Sequence, residues 1–317
     1  MKNLAKRVLK GRTRKLVGNF YHKSLFLYFM LKKGFWQRNV KGFRKVKKPI
    51  KPYAFIRVCN EIPTLKASLE SIVFLERGVI VYNDCTDGSE EVILEFCKKY
   101  SDFKAYKYPH KVKRPYAPGE VFPEGYKELY EYYNFALDKI PKDEWLLKID
   151  VDQIYMQDIT EESFKLIEYE NDIVCYPRVN LHVLDGEVLV SKDIPLSDVD
   201  DHWLIFNHNL SFKMCANSHG VMEVLVLPHS GIRVKKSSIN SFHFPVLKKQ
   251  RFVSDKSKFF TWEEFKARYK EDSSKLIRGG YTPLSMGEEI LDLDLFDEKL
   301  PEILEKIDYP YKDTKDI

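Results

Sequence analysis

Two carboxylates one residue apart, Asp150 and Asp152, close the apolar run Trp145-Leu146-Leu147-Lys148-Ile149 and precede Gln153-Ile154-Tyr155. Such a pair can share a hard divalent cation, Mg²⁺ or Mn²⁺, which takes oxygen ligands and bridges substrate phosphates. Position adds to the chemistry. Ligands of open α/β sheets bind beyond the carboxyl ends of the strands, and that is where these acids fall. An Asp-rich turn at a strand end accounts for the same two residues without a metal.

The elements that must position this pair follow from hydrophobic patterning. Tyr53-Ala54-Phe55-Ile56-Arg57-Val58 reads as a buried strand with Asn60-Glu61 at its end, and Leu65, Leu69 and Ile72 recur at helical spacing after Pro63-Thr64. Gly78-Val79-Ile80-Val81-Tyr82 is a second strand, ending in Asn83-Asp84-Cys85-Thr86-Asp87-Gly88-Ser89. Val92, Ile93, Phe96 and Cys97 supply the next helix face. Strand, helix, strand, helix calls for a parallel sheet. A carboxylate in the Asp84 turn suits hydrogen bonds from a uracil or a ribose, and a plain Asp-Gly turn capping a helix suits it equally. Further on, Asp172-Ile173-Val174-Cys175-Tyr176-Pro177-Arg178-Val179 and Gly186-Glu187-Val188-Leu189-Val190 are strand-like, with Asp185-Gly186 a hairpin signal.

Three ordered landmarks, Phe55-Ile56-Arg57-Val58-Cys59-Asn60-Glu61, Asn83-Asp84-Cys85-Thr86-Asp87-Gly88-Ser89 and Ile149-Asp150-Val151-Asp152, resemble those of nucleotide-sugar glycosyltransferases of the GT-A fold. With Thr64 to Ile72, Leu129-Tyr130-Glu131-Tyr132-Tyr133-Asn134 and Ile140-Pro141-Lys142-Asp143-Glu144-Trp145, the match tightens. Together they resemble the bacterial β-1,4-N-acetylgalactosaminyltransferases that build the outer core of lipooligosaccharide. The resemblance is strong over residues 53–155 and patchy afterwards. It implies that Asp84 contacts the uridine of a UDP-sugar, that Arg57, Asn60, Glu61 and Asn134 line the donor pocket, and that Asp150 and Asp152 hold the cation. The metal then stabilises charge on the departing UDP.

The second half of the chain is expected to build the acceptor site and to supply a base, which takes the proton of the acceptor hydroxyl in an inverting transfer. Asp201, in Asp201-His202-Trp203-Leu204-Ile205, ranks first and Glu223 second, with Asp200 also a candidate; all three are equally readable as surface acids. Trp203 is a candidate sugar platform. Ser241-Phe242-His243-Phe244-Pro245-Val246-Leu247-Lys248-Lys249 resembles the family again. There His243 is implied as a third metal ligand, against the reading of a core histidine, and Lys248, Lys249 and Arg251 are suited to diphosphate oxygens. Gln153 stands where the family has a His, and residues 206–240 align poorly, which leaves the acceptor open.

Charge divides the chain. Of 52 Lys and Arg, 17 fall in residues 1–51, which contain no Asp or Glu; the other 35 face all 47 acids. Bases flanking the aromatic run Phe20-Tyr21 to Phe35-Trp36 suit an interfacial helix on an anionic membrane surface. A core helix packed on the acidic body competes with that reading, and no nucleic-acid module accompanies the arm. Five cysteines without a Cys-x-x-Cys pair point to a reducing cytosol. The expected organisation is a basic aromatic arm (1–52), a GT-A catalytic domain (53–265, with donor half 53–155 and acceptor half 156–265) and a C-terminal acidic helical extension (266–317).

The chain thus reads as an α/β protein of GT-A fold with a mostly parallel sheet. The expected activity is a metal-dependent, inverting transfer from a UDP-sugar, GalNAc favoured, to a lipid-linked or surface glycan at the cytoplasmic face of the inner membrane. The alternatives are a sugar nucleotidyltransferase, against which the absence of Gly in Val58-Cys59-Asn60-Glu61-Ile62-Pro63 counts, and an inactive glycan-binding or membrane-scaffold module.

Overall fold

The computed structural model describes residues 44–117, 119–197, 202–217, 220–227, 231–278 and 290–308. Most of the basic arm, with its aromatic run, lies outside the described residues. Residues 44–52, assigned to the arm from sequence, pack with the body: Val46 N–H donates to Glu168 O at 2.9 Å, Arg44 pairs with Glu170, and Ile50 is buried. No helix among the described residues is long and apolar enough to cross a membrane.

The first half follows the expected alternation: β1 (Tyr53–Val58), α1 (Ile62–Ser71), β2 (Gly78–Tyr82), α2 (Ser89–Lys99) and β3 (Phe103–Lys107). An irregular segment leads to α3 (Leu129–Leu137) and β4 (Trp145–Ile149). These four strands pair in parallel, as helical crossovers require. Then come β5 (Gln153–Tyr155), α4 (Gln157–Ser163) and β6 (Asp172–Cys175), followed by the short strands β7 (Arg178–Val179), β8 (Leu181–Leu184), β9 (Glu187–Ser191) and β10 (Leu196–Ser197). β11 (Trp203–Phe206) returns to the main sheet, β12 (Ser211–Asn217) and β13 (Gly220–Val226) form a hairpin, and β14 (Arg233–Lys236) takes the sheet's far edge. The chain closes with β15 (Ser241–His243), β16 (Phe259–Thr261), α5 (Trp262–Asp272), β17 (Ile277–Arg278) and α6 (Leu293–Lys306). The main sheet runs β14-β6-β11-β4-β1-β2-β3, and within it only β11 is antiparallel to its neighbours. The architecture is mixed α/β around a mostly parallel sheet.

Alternation along β1 explains the two-sided core, since successive side chains of a strand point to opposite faces. Ile56 faces the layer of α1 and α2, where Leu65, Leu69, Ile93 and Phe96 pack. Phe55 faces the other layer, with Tyr132, Tyr133 and Ala136 of α3 and Phe212 of β12. β2 is buried along its whole length, hence its unbroken apolar sequence.

The C-terminal part differs from the expected extension. A boundary between 265 and 266 bisects α5, and Phe265 and Tyr269 on either side of it share a core with Phe242 of β15 and Phe296 of α6. Phe242 and Phe296 stack with ring centroids 4.3 Å apart. A helix suggested by the spacing of Leu291, Leu295, Leu300, Ile303 and Ile307 forms as α6, but Leu291 and Ile307 fall just outside it, Leu295 is only partly buried, and the buried face of α6 is Leu293, Phe296, Leu300 and Ile303. The strand read over 172–179 breaks at Tyr176-Pro177, and its two pieces join different sheets, because proline cannot donate to a central ladder.

Gly78, at the start of β2, sits where no side chain fits. A Cβ there would lie 2.7 Å from Phe103 and 2.8 Å from the Ala54 methyl, both held in the sheet. Gly78→Ala is expected to lower the unfolding free energy by about 1–3 kcal/mol, read from urea melts; an unshifted midpoint would mean that the sheet opens to admit the methyl.

Candidate active site

The carboxyl ends of β1, β2 and β4 meet in one crevice. The loop after β1 is stitched to the loop after β2. Asn60, in the left-handed conformation at φ 55°, accepts the Thr86 N–H at 2.7 Å through its side-chain oxygen. Asp87 accepts the N–H of Ile62 and of Ser89, each at 3.0 Å, and Ser89 Oγ accepts the Glu61 N–H at 3.1 Å. One carboxylate thereby caps the first turns of both α1 and α2, where helix dipoles favour negative charge. The helix-capping reading of the Asp84 turn therefore applies to Asp87. Asp84 itself (φ 46°) projects at the end of β2 with its side chain 46 % exposed and Lys111 Nζ 3.7 Å away.

At the end of β4 the two aspartates have different surroundings. Asp150 is enclosed by donors: Arg57 donates to Oδ1 at 3.0 Å, and Lys148 Nζ and His202 Nε2 lie 2.8 and 2.9 Å from Oδ2. The Lys148 and Arg57 side chains are only 2 % and 7 % exposed, so this carboxylate is their counter-ion. Burial opposes its charge, but Lys148, His202 and Arg57 outweigh burial and hold Asp150 well below the usual carboxylate range. The Arg57 guanidinium lies 3.5 Å from the Tyr133 ring centroid, a cation–π contact. Burial opposes the Arg57 charge too, and Tyr133, Asp150 and Glu223 together raise its pKa above the ordinary arginine value. Behind His202, the Arg178 guanidinium contacts Nδ1.

Asp152 has no such shell. Its Oδ1 is buried without a hydrogen-bond partner among the described residues. His243 Nε2 stands 3.6 Å from that oxygen, and His243 Nδ1 is 2.6 Å from Asn180 Oδ1. Burial lowers the His243 pKa, with Asp152 opposing. Tertiary pairing creates this encounter. β5 and β15 run antiparallel with His243 opposite Gln153, and Phe244 N–H donates to Asp152 O at 2.8 Å. An orphaned carboxylate oxygen beside an imidazole is a donor set that fits a divalent cation. Among the described residues no group of three or more His, Cys, Asp or Glu side chains converges on a cation site.

Glu61 and Lys248 flank Asp152. They are in direct contact with each other. Burial lifts the Glu61 carboxyl to about 7, with Lys248 opposing and Asp152 adding. Lys248 therefore faces the crevice already paired to a carboxylate. Glu223, on β13, is half-buried and close enough to act on the Arg57 charge. Asp200 and Asp201 lie outside the described residues.

Two expectations are corrected. Asn134 was expected to touch the donor, but both ends of its amide clamp the backbone of Phe212: its Nδ2 donates to Phe212 O at 2.9 Å and its Oδ1 accepts the Phe212 N–H at 2.7 Å. Trp203 was a candidate sugar platform, yet it is buried and stacked between Phe55 and Phe212 at 6.2 and 6.5 Å. Gln153, in place of the family's His, is buried and accepts from Ser241 Oγ at 2.7 Å while its amide nitrogen contacts His202.

Lys148, Arg178, Asn180 and His202 were not anticipated. Lys148 carried a readable signal. A lone base inside a buried strand demands a counter-ion, and Asp150, two residues on, lies on the same face. Arg178, Asn180 and His202 carried none, because each is local to a short strand or loop whose partners are distant in sequence.

A model of the β-1,4-N-acetylgalactosaminyltransferase (CgtA) family matches residues 30–282, including the stretch 206–240 that resembles the family poorly by eye. Among solved structures the chain is similar to the mannosyltransferase PcManGT from Pyrobaculum calidifontis, in complex with GDP-Man and Mn²⁺. The identity is 15 % and the TM-score 0.32, and the match covers 51 % of this chain and 45 % of that one; the chain thus spans less than half of that protein's length. No curated protein matches it.

The two aspartates should separate by stability. Asp150→Asn removes a charge that buried Arg57 and Lys148 share and is expected to lower the unfolding free energy by about 3–5 kcal/mol. Asp152→Asn is expected to change it by no more than about 1 kcal/mol. Urea melts of both variants check this, and equal losses would show that Asp150 is not the structural counter-ion.

Proposed function

Because the chain belongs to the β-1,4-N-acetylgalactosaminyltransferase (CgtA) family, and is therefore a glycosyltransferase, we propose that it transfers GalNAc from UDP-GalNAc, with inversion, to a surface-glycan acceptor on a GT-A scaffold. The observation that carries the donor site is the pairing of the orphaned Asp152 Oδ1 with His243 Nε2 at the carboxyl end of β4. In this reading Asp152 and His243 would hold a Mn²⁺ or Mg²⁺ ion, an ion of the kind that commonly binds together with substrate phosphates. The ion supplies Lewis-acid stabilisation of the charge that builds on the departing diphosphate.

The chain's own residues do the rest. Asp84 receives the uridine at the end of β2. Lys248 exchanges its Glu61 partner for a diphosphate oxygen, a charge-assisted contact of the same kind. Asp150 stays with Arg57 and Lys148 and keeps the floor of the crevice rigid. A carboxylate takes the proton of the acceptor hydroxyl as that oxygen attacks the anomeric carbon from the face opposite UDP. The candidates are Asp201 and Glu223, the latter half-buried on β13. The basic segment 1–51, with 17 Lys and Arg and no acid, is suited to an anionic membrane surface near a lipid-linked acceptor.

Calorimetric titration with UDP tests the donor site. Binding is expected in the presence of Mn²⁺ and not in its absence, and Asp152→Ala or His243→Ala should abolish the metal-dependent heat; UDP binding that ignores Mn²⁺ would sink the metal reading. A transfer screen over UDP-GalNAc, UDP-Gal, UDP-Glc and UDP-GlcNAc reads the donor directly.

For the base, Glu223→Gln is expected to lower kcat by about 10²- to 10⁴-fold with donor affinity retained. Near-normal turnover in that variant would transfer the role to Asp201.

A further inference from the structure

We propose that Asn180 is a positioning residue: its side-chain carbonyl holds His243 in the Nδ1–H form and so keeps the bare Nε2 turned toward Asp152. The consequence for a cation rests on the metal reading above; the assignment of the proton does not.

Asn180 stands between β7 and β8 and is nearly buried. Its backbone is fixed on both sides, with its N–H donating to Pro195 O and its carbonyl accepting the Ser191 N–H, each at 3.1 Å. The side-chain nitrogen donates to Ile194 O at 2.6 Å and lies 3.2 Å from Ser197 Oγ. A backbone carbonyl can only accept, so the amide group that faces Ile194 O must be the NH₂. The amide oxygen therefore faces His243 Nδ1, 2.6 Å away. An amide oxygen also only accepts, so the hydrogen in that contact belongs to Nδ1. In a neutral imidazole this leaves Nε2 with a lone pair.

That lone pair meets another acceptor. Nε2 is 3.6 Å from Asp152 Oδ1, too far for a hydrogen bond, and the oxygen has no donor among the described residues. Two acceptors face each other with no proton between them. Such an arrangement is unfavourable unless a positive centre joins them, and nitrogen and oxygen ligands can share a divalent cation. Were the proton on Nε2 instead, it would point at Asp152, and the histidine would be a hydrogen-bond donor in place of a ligand. Asn180 decides between the two states. This is the outer-partner role by which a histidine's second nitrogen fixes the tautomer and orientation of its ligating one.

The test is long-range ¹H–¹⁵N NMR of the histidine rings near neutral pH, combined with Mn²⁺ titration in the presence of UDP followed by electron paramagnetic resonance. Wild type is expected to show His243 protonated at Nδ1. In Asn180→Ala the proton should move to Nε2, and Mn²⁺ affinity should fall about 10- to 100-fold. A wild-type His243 protonated at Nε2 overturns the proposal without any variant. So does an Asn180→Ala protein whose tautomer and Mn²⁺ affinity match wild type. If wild type takes up no Mn²⁺ with UDP, the metal reading fails, and the tautomer measurement still decides the role of Asn180.

Discussion

The crevice depends on one buried anion. Lys148 and Arg57 each stand one residue from the end of their strands, β4 and β1, both almost without solvent. An isolated charge in such a place costs several kcal/mol, and it is tolerated only with a counter-charge at hydrogen-bond distance. Asp150 supplies that charge to both, and His202 of the segment entering β11 adds a third contact. Three neighbouring strands of the main sheet are thus tied together at the edge where a ligand would bind. The pairing also sets the division of labour between the aspartates. The oxygens of Asp150 are engaged by Arg57, Lys148 and His202, and the oxygen of this pair left without a hydrogen-bond partner among the described residues is on Asp152.

The neighbourhood of Asp152 is built from the far end of the chain. β15 reaches β5 across residues 156–240 and delivers His243 opposite Gln153. What holds β15 is the second core, in which Phe242 stacks on Phe296 of α6 beside Phe265 and Tyr269 of α5. The C-terminal helices therefore bear on the crevice through packing. They pin the strand whose last residue is the imidazole. Asn180 works on the same imidazole from another side, through a hydrogen bond whose direction is dictated by the carbonyl of Ile194.

The donor-side loops show how legible residues acquire different jobs. Asn60 and Asp87 belong to the motifs that suggested nucleotide recognition, yet their side chains are engaged in joining the two loops and capping α1 and α2. Asp84 carries no such duty and remains partly exposed. Asn134 and Trp203 looked like ligand-facing groups from their types, but an amide that satisfies a strand's backbone at both ends and an indole stacked among Phe rings are core components.

The parallel framework and the place of the crevice are legible in the linear chain, because strand periodicity and the acids at strand ends are local properties. β1, β2 and β4 fall where the apolar runs fall, and the ordered motifs at their ends carry the family resemblance. Lys148 was legible too, since a base inside an apolar strand announces a partner two residues away. Which aspartate is paired and which is left open, where His243 stands, and the approach of Arg178, Asn180 and His202 to this crevice emerge with the folded chain. The reason is physical: the cost of a buried charge and the direction of a hydrogen bond depend on atoms brought together from strands far apart in the chain, and no local pattern encodes that encounter.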